Sequence, residues 1–393
     1  MQDKKNLFFY ASCIHRSDTM SGGDRIFIEI AKIWKEKDNI IMITSKEGEE
    51  LCKKYGLNDL RYIVIGKHFN KKDSPAVLFL KRLFSGIKLS FNQKLPKNSL
   101  IYSTSNFISD AFPSFLLKIL NKKIKWIGGY YLAPPNPFFG YDESKSKLRI
   151  PKLPDILFYI QDKASKFLIN KFADIVYVTS LPDKNQFIKK SRPENKVLII
   201  KGGIDIKTPD KVKNKKIKKF DAVFLGRFHR EKGVLELVDI WEKVLKFKKG
   251  AKLAMIGNGP LEEEVKRKIK QKNLEKNIIL FGFKDGIEKI KIFKDSKIVL
   301  HPAQYDSGGM AACEAMICKI PGVSYDLEAL KTYYPKGMLK TEIGNQNQFA
   351  RNILLLLKDK KLYNKLSKDA YELAKTWDWN KRAGQIYKQT FKN

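Results

Sequence analysis

The sequence predicts an α/β protein of two domains, each built on a mainly parallel sheet, and three observations lead there. Apolar runs of strand length alternate with longer stretches of helical period. The alternation breaks at a polar, Lys-rich segment, Thr208 to Lys219, and then restarts. The chain, at 393 residues, exceeds one ordinary core, and about 150 residues per domain makes two the expected count. The expected divisions are 1–200, 201–376 and a last helix over 377–393.

In the first half, Leu7 to Ala11, Ile40 to Thr44, Tyr62 to Ile65, Leu100 to Ser103, Lys125 to Ile127 and Ile175 to Thr179 read as strands buried on both faces, because they are near-continuous in apolar residues. Asp24 to Glu36 reads as a helix with Ile26, Ile30, Ile33 and Trp34 on one side. Ala76 to Phe91 reads as another, its apolar side joining Phe79, Leu80, Leu83, Phe84, Ile87 and Phe91, with Lys81, Arg82 and Lys88 on the remainder. In the second half, Ala222 to Gly226, Lys252 to Gly257, Ile278 to Phe281 and Ile298 to His301 are the expected strands, each followed by a loop and a helical segment. Val234 to Leu245 illustrates the helices, with Val234, Leu237, Val238, Trp241, Val244 and Leu245 at steps of three and four.

Composition narrows the partners. Hydrophobic residues are 43% of the chain, ample for folded cores, and no apolar run reaches the roughly 18 residues that span a bilayer. The start, MQDKKNLFFYASC, reads as a first strand rather than a cleaved signal. Cys13, Cys52, Cys313 and Cys318 form no CxxC pair and no dense framework, which fits a reducing compartment, and with His15, His68, His229 and His301 they suggest no metal cluster. A cytoplasmic protein is expected, with the inner face of the cell membrane as a second place of residence. The formal charge of +35 favours anionic surfaces, but 66 of the 77 basic residues are Lys, scattered along the chain. Nucleic-acid readers lean on Arg for bidentate contacts, so nucleic acid is not expected as a partner and an anionic membrane surface ranks above it. Ser74 to Lys97, apolar on one side and basic on its flank, is the segment expected to touch such a surface reversibly and in a salt-sensitive way. The same pattern also suits a helix covering a parallel sheet.

The residues that carry chemistry sit where strands end. In LHPAQYDSGGMAACEAMICKIPGV a strand closes, a loop with Gly308 and Gly309 follows, and a helix starts near Met310. Glycines let backbone approach an anion, and the first amides of a helix point partial positive charge at it, so a diphosphate suits this place. Asp306 enters the turn and Glu314 lies eight positions on, both able to accept hydrogen bonds from hydroxyl groups of a sugar or ribose. In FLGRFHREKGVLELV a strand delivers Arg227 and a short loop delivers Lys232, two cations able to neutralise a leaving diphosphate. Gly257, Asn258, Gly259 and Pro260 make a tight turn between another strand and an acidic helix start. Gly22 and Gly23, in MSGGDR, precede the first helix. Singly, each of these reads as a solvated charge or a plain turn. Four of them in this order, each between a strand and a helix, favour a ligand site, because strand C-termini are where such sheets bind ligands.

These motifs resemble those of the family 4 retaining glycosyltransferases of the GT-B fold, over nearly the whole chain. GGDR is similar to the family's N-terminal glycine loop, GRFHREKG to its phosphate clamp, GNGP to its turn beside the nucleotide, and KGGID, Lys201 to Asp205, to its interdomain segment. DSGGMAACE resembles the Glu-x7-Glu motif, with Asp306 at the position of the first Glu and Glu314 matching the second. The resemblance implies two Rossmann-like domains with mainly parallel sheets facing across a cleft, an N-terminal acceptor domain and a C-terminal donor domain. The last helix, within WDWNKRAGQIYKQTF, would return to the first domain.

For the site it implies that Glu314 binds the ribose, that Asp306, Ser307 and the amides of Gly308, Gly309 and Met310 meet the donor sugar, and that Phe283 and Lys284 flank the base. The implied reaction is metal-independent, retaining transfer of a hexose from a nucleoside diphosphate sugar to a glycan or lipid-linked acceptor of the cell envelope, with no further cofactor required. Where the family commonly has a catalytic-site His the chain reads WIGGYYLAPPN, leaving Gly129, Tyr130 or Tyr131 in that region, Tyr130 as the candidate, or His15 before the glycine loop. The missing His keeps open a second reading, a catalytically weakened GT-B protein that binds nucleotide sugars without efficient transfer.

Overall fold

The computed structural model describes residues 4–14, 20–66, 75–121, 123–141, 148–213 and 217–391, which form two compact units. Unit 1 comprises residues up to 140, 148–202 and 379 onward; unit 2 comprises 203–378 together with Tyr141. His15, named above as a candidate, and Ser74, the start of the basic-apolar segment, lie outside the described residues.

Unit 1 runs β1 (Asn6–Ala11), α1 (Gly22–Trp34), β2 (Asn39–Thr44), α2 (Lys46–Lys54), β3 (Arg61–Val64), α3 (Pro75–Asn92), β4 (Leu100–Ser103), α4 (Ile108–Leu120), β5 (Lys125–Tyr130), α5 (Leu153–Phe172), β6 (Ile175–Val178), α6 (Leu181–Asn185) and β7 (Val197–Ile199). Its seven-stranded sheet has the order β3-β2-β1-β4-β5-β6-β7, and every pair is parallel. β1 is interior, with Leu7 opposite Ile40 on one side and Leu100 on the other. Five of its six residues are buried, as a parallel strand covered on both faces requires.

Unit 2 runs β8 (Phe220–Leu225), α7 (Val234–Leu245), β9 (Leu253–Ile256), α8 (Glu262–Gln271), β10 (Ile278–Leu280), α9 (Gly286–Lys294), β11 (Ser296–His301), α10 (Met310–Met316), β12 (Gly322–Tyr325), α11 (Glu328–Tyr333), β13 (Met338–Thr341), α12 (Gln346–Lys358) and α13 (Lys360–Lys375). Its six strands, again all parallel, are ordered β10-β9-β8-β11-β12-β13. Alternate residues feed the two faces of the sheet. Ala222, Phe224, Leu253, Met255, Ile298 and Leu300 pack into one core, and Val223, Ala254, Ile256 and Val299 into the other. The unit closes on itself where the Ile204 amide donates to the Trp377 carbonyl at 2.7 Å. The last helix, α14 (Trp379–Phe391), belongs to unit 1.

Three departures from the expected elements have local causes. α1 begins at Gly22 rather than after Gly23, because Ser21 caps it in a reciprocal box with Asp24. β5 continues past Ile127 to Tyr130 through Gly128 and Gly129. These glycines are a close-approach requirement: a Cβ on Gly128 would stand 2.7 Å from the Ile169 side chain of α5, and one on Gly129 2.6 Å from the Ser103 carbonyl. β7, β12 and β13 were not expected; VLI, GVSY and MLKT are too short or too mixed to carry a strand period.

The orientation of α3, which its sequence pattern leaves open, is fixed in the structure. Its buried residues include Arg82, Gly86 and Ser90, whereas Leu80, Phe84 and Phe91 of its apolar side are exposed and Phe79, Leu83 and Ile87 half-buried. A Cβ on Gly86 would come within 2.2 Å of the Tyr10 hydroxyl and 2.7 Å of Pro113, so this side of α3 lies tight against the sheet and α4.

Candidate functional site

In unit 2 the chain leaves β8 for β9 on one side and β11 for β12 on the other, so the β8/β11 boundary is a topological switch point, the place where open α/β sheets bind ligands. The Arg227–Lys232 segment follows β8 and the Asp306 loop follows β11. Backbone hydrogen bonds lace these loops together. The Gln304 amide donates to the Glu231 carbonyl at 2.9 Å, the Phe228 amide to the Asn258 carbonyl at 2.7 Å, and the Gly257 amide to the Gly282 carbonyl at 2.9 Å.

Glycine is required at three of these crossings. Gly233 has φ of 64° and a Cβ there would lie 2.1 Å from the Pro302 carbonyl oxygen. Gly257 has φ of 135° with the Gly226 oxygen 1.9 Å from the same construction, and Gly259 has φ of 156° with the Phe228 oxygen at 2.5 Å.

At the centre stands an ionic cluster. Lys232 Nζ donates to Asp306 Oδ2 at 2.9 Å, and His301 Nε2 lies 3.3 Å from the same oxygen. The Gly308 amide donates to Asp306 Oδ1 at 3.1 Å. Only 6% of the Asp306 side chain is exposed, and burial alone would push its carboxyl up. Lys232 and His301 outweigh that and hold it well below the usual carboxylate range. For Lys232, burial pulls the ammonium down, but Asp306 and Glu231 outweigh it and leave its proton held more tightly than usual. Glu231 faces a like balance: burial raises it, and His229, at 3.3 Å, with Lys232 brings it below its ordinary value. Arg227 is exposed and makes no ion pair with a described residue. Tyr305 and His229 lie beside Tyr141, with ring centroids 5.6 and 5.9 Å from it.

Of the other residues singled out from the sequence, Glu314 sits on α10 and pairs with Lys289 of α9 at 2.7 Å. Burial lowers the Lys289 ammonium, but Glu314 and Asp285 outweigh it and raise it overall. Asn258, Pro260 and Phe283 are exposed on the loops after β9 and β10, and Lys284 pairs with Glu288 at 3.4 Å. Ser307 and Gly308 follow Asp306, and Gly309 caps α10, without a side-chain cap, ahead of Met310.

Tyr130, Gly22 and Gly23 belong to unit 1. Tyr130 is 1% exposed, its hydroxyl donates to Asp162 at 3.1 Å and its ring packs on Phe187. It is a buried residue of unit 1. His301, Glu231 and Lys289 went unassigned from the sequence, although His301 ends its strand five positions before Asp306, a placement that could have drawn it in. Among the described residues no group of three or more His, Cys, Asp or Glu side chains is placed to hold a metal ion.

Residues 205–373 match the family model "Glycosyl transferases group 1". That match lies within unit 2. Over 128 residues the chain is 30% identical to the poly(ribitol-phosphate) alpha-N-acetylglucosaminyltransferase of Staphylococcus aureus, covering 31% of this chain and 25% of that protein. The chain spans about a quarter of the length of the curated relatives it matches first. Among solved structures, sucrose-phosphate synthase of Thermosynechococcus elongatus superposes with a TM-score of 0.74 at 18% identity, covering 99% of this chain and 100% of the other. HepE of Anabaena, solved with UDP-glucose, gives 0.71 at 16%, with 100% of each chain covered. The architecture is therefore GT-B: two α/β units of Rossmann-like, parallel-sheet build.

Proposed function

We propose that the chain is a retaining, metal-independent glycosyltransferase that moves a hexose from a nucleoside diphosphate sugar to a glycan or lipid-linked acceptor of the cell envelope. The observation that carries this reading is the pairing of Lys232 with Asp306 beside exposed Arg227 at the switch point of unit 2. The resemblance of the loop motifs supports it. So do the family match, the UDP-glucose complex of HepE, and the relative whose name specifies alpha transfer to poly(ribitol-phosphate).

In this reading the bond between the sugar's anomeric carbon and the diphosphate oxygen breaks and its electron pair stays on the diphosphate. Arg227 and Lys232 compensate the charge that develops there, an effect worth several kcal/mol per well-placed donor. The acceptor hydroxyl bonds to the anomeric carbon on the face the diphosphate leaves, and its proton passes to the departing oxygen. Asp306, held ionised, fixes the Lys232 ammonium and accepts hydrogen bonds from sugar hydroxyls. Glu314 binds the ribose hydroxyls, exchanging part of its contact with Lys289, while Phe283 and Lys284 flank the base.

The test begins with a panel of uridine, guanosine, adenosine and thymidine diphosphate sugars, one of which should raise the melting temperature. With that donor, Arg227→Ala should lower kcat by roughly a hundredfold, and Glu314→Ala should act mainly on KM. No shift with any donor, or unaltered kinetics in both variants, would overturn the assignment. A shift without release of nucleoside diphosphate would leave a binding protein.

A further inference from the structure

Two helices of unit 1 are turned the same unusual way. α3 buries Arg82, Gly86 and Ser90, while Phe84 and Phe91 are each 65% exposed. α5 buries Asp162 and Ser165 beside Ile169, while Leu153 is 67%, Phe167 59% and Ile160 58% exposed. Their inward contacts are specific, so the orientation is fixed. Arg82 pairs with Glu47 at 3.2 Å, the Ser90 hydroxyl donates to the Pro113 carbonyl at 3.1 Å, and Asp162 accepts from Asn106 at 2.8 Å. An amphipathic helix that served only to cover the sheet would place its Phe and Leu residues inward.

α4 lies between the two, packed against α3 along one flank and against α5 along the other, where Phe115 meets Phe172 with ring centroids 4.6 Å apart. The connections from β3 to β4, β5 and β6 all step in one direction across the sheet, so right-handed crossovers put α3, α4 and α5 in one layer. The outer surface of that layer carries the exposed apolar side chains of α3 and α5, joined by Ile119 and Leu120 at the end of α4. Exposed apolar side chains gathered on the outside of one layer mark an interaction site.

Charge identifies the occupant. Lys88, Lys163 and Lys171 are exposed on the same helices. The helices carry few carboxylates to set against them: Asp110 and Asp162 are buried, and Asp155 pairs with Arg149 at 3.0 Å. A second copy of the chain meeting this face would set Lys against Lys. Anionic headgroups complement the lysines, while the Phe and Leu side chains reach the acyl boundary. No described helix is long and apolar enough to cross a membrane.

We propose that the outer surface of α3, α4 and α5 docks unit 1 on an anionic lipid bilayer. The docking deepens the transferase reading, and rests on it only for the statement that a lipid-linked acceptor is met there.

Co-sedimentation of the full chain with vesicles of phosphatidylcholine containing about one-third phosphatidylglycerol tests this at low and high salt. Binding is expected at low salt, little at high salt, and none to phosphatidylcholine alone. The double variant Phe84→Ser/Phe167→Ser should bind roughly tenfold or more weakly, with an unchanged far-ultraviolet spectrum and an unchanged donor-induced melting shift. Lys88→Glu/Lys163→Glu should do the same without removing apolar surface. No binding of the wild type at low salt, full binding by both double variants, or a solution dimer that Phe84→Ser abolishes would overturn the proposal. Vesicle binding without a melting shift from any nucleotide sugar would support the docking face while removing the transferase reading.

Discussion

Asp110 illustrates what a single buried carboxylate does to the pH dependence of the protein. It lies at the start of α4, accepting from the Ser12 amide at 2.8 Å and from the hydroxyls of Ser12 and Ser105 at 2.6 Å each. Burial pushes its carboxyl up to about 6, and those hydrogen bonds only partly oppose the rise. The folded state thus holds the proton more tightly than the unfolded chain, whose Asp titrates near 3.9. The contribution is fully present below about pH 4 and is lost as pH rises through about 6, a difference of about 3 kcal/mol at most. Asp110→Asn keeps an oxygen for the Ser12 amide and removes the titration. Urea melts should therefore show the variant gaining on the wild type between about pH 4 and pH 7, and a constant difference would show that Asp110 does not titrate there. At this scale the sequence was partly legible. The positions of Arg227, Lys232 and Asp306 in loops after strands, and of Glu314 on the helix that follows, could be read from spacing, whereas the partners that tune them could not. Lys232 meets Asp306 across 74 positions, and Glu314 meets Lys289 from a neighbouring helix, contacts set by the sheet order and not by local pattern. The same holds for Tyr130, whose hydroxyl at a strand end donates to Asp162, 32 positions on, a partner that no local pattern reveals.

Helices α3 and α14 show opposite uses of glycine. In α3, Gly86 is where the helix closes on Tyr10 and Pro113, so Gly86→Ala should destabilise by about 1–3 kcal/mol through overpacking, although Ala is the better helix former by about 1 kcal/mol. In α14, a Cβ on Gly384 would meet nothing within 4 Å, so Gly384→Ala should stabilise by roughly 0.5–1 kcal/mol. Chemical denaturation of the two variants checks both signs, and a shared sign would mean that propensity alone governs. The long apolar strands of both sheets were legible because burial on both faces leaves a continuous run, as in LFFYA and AVFL. β7, β12 and β13 were not, since VLI, GVSY and MLKT are too short or too mixed to carry a period. The facing of α3 stays open in the sequence, because an amphipathic pattern gives the angle between two faces without saying which one the sheet takes.

Across the whole molecule the chain leaves unit 1 after Gly202 and returns to it at Trp379. α14 then completes unit 1 from the far end of the sequence. Trp34 Nε1 donates to the Ala383 carbonyl at 2.9 Å, the Tyr387 hydroxyl to Asp38 at 2.7 Å, and the hydroxyls of Tyr177 and Thr390 meet at 2.5 Å. A chain ended at Asp378 would leave Trp34 and Tyr177, both fully buried, without these partners. Such a chain should show two thermal transitions by calorimetry, with unit 2 melting as in the full chain and unit 1 several degrees lower. A single unshifted transition would show that α14 contributes nothing to unit 1. The same arrangement imposes an order on synthesis. A ribosome adding residues at the usual pace needs roughly 10–40 s to pass from the end of unit 1's central body to the end of α14, and all of unit 2 emerges in that interval. The later-made module can thus mature first, while the earlier one waits on the tunnel with its aromatic seat for α14 open to chaperones.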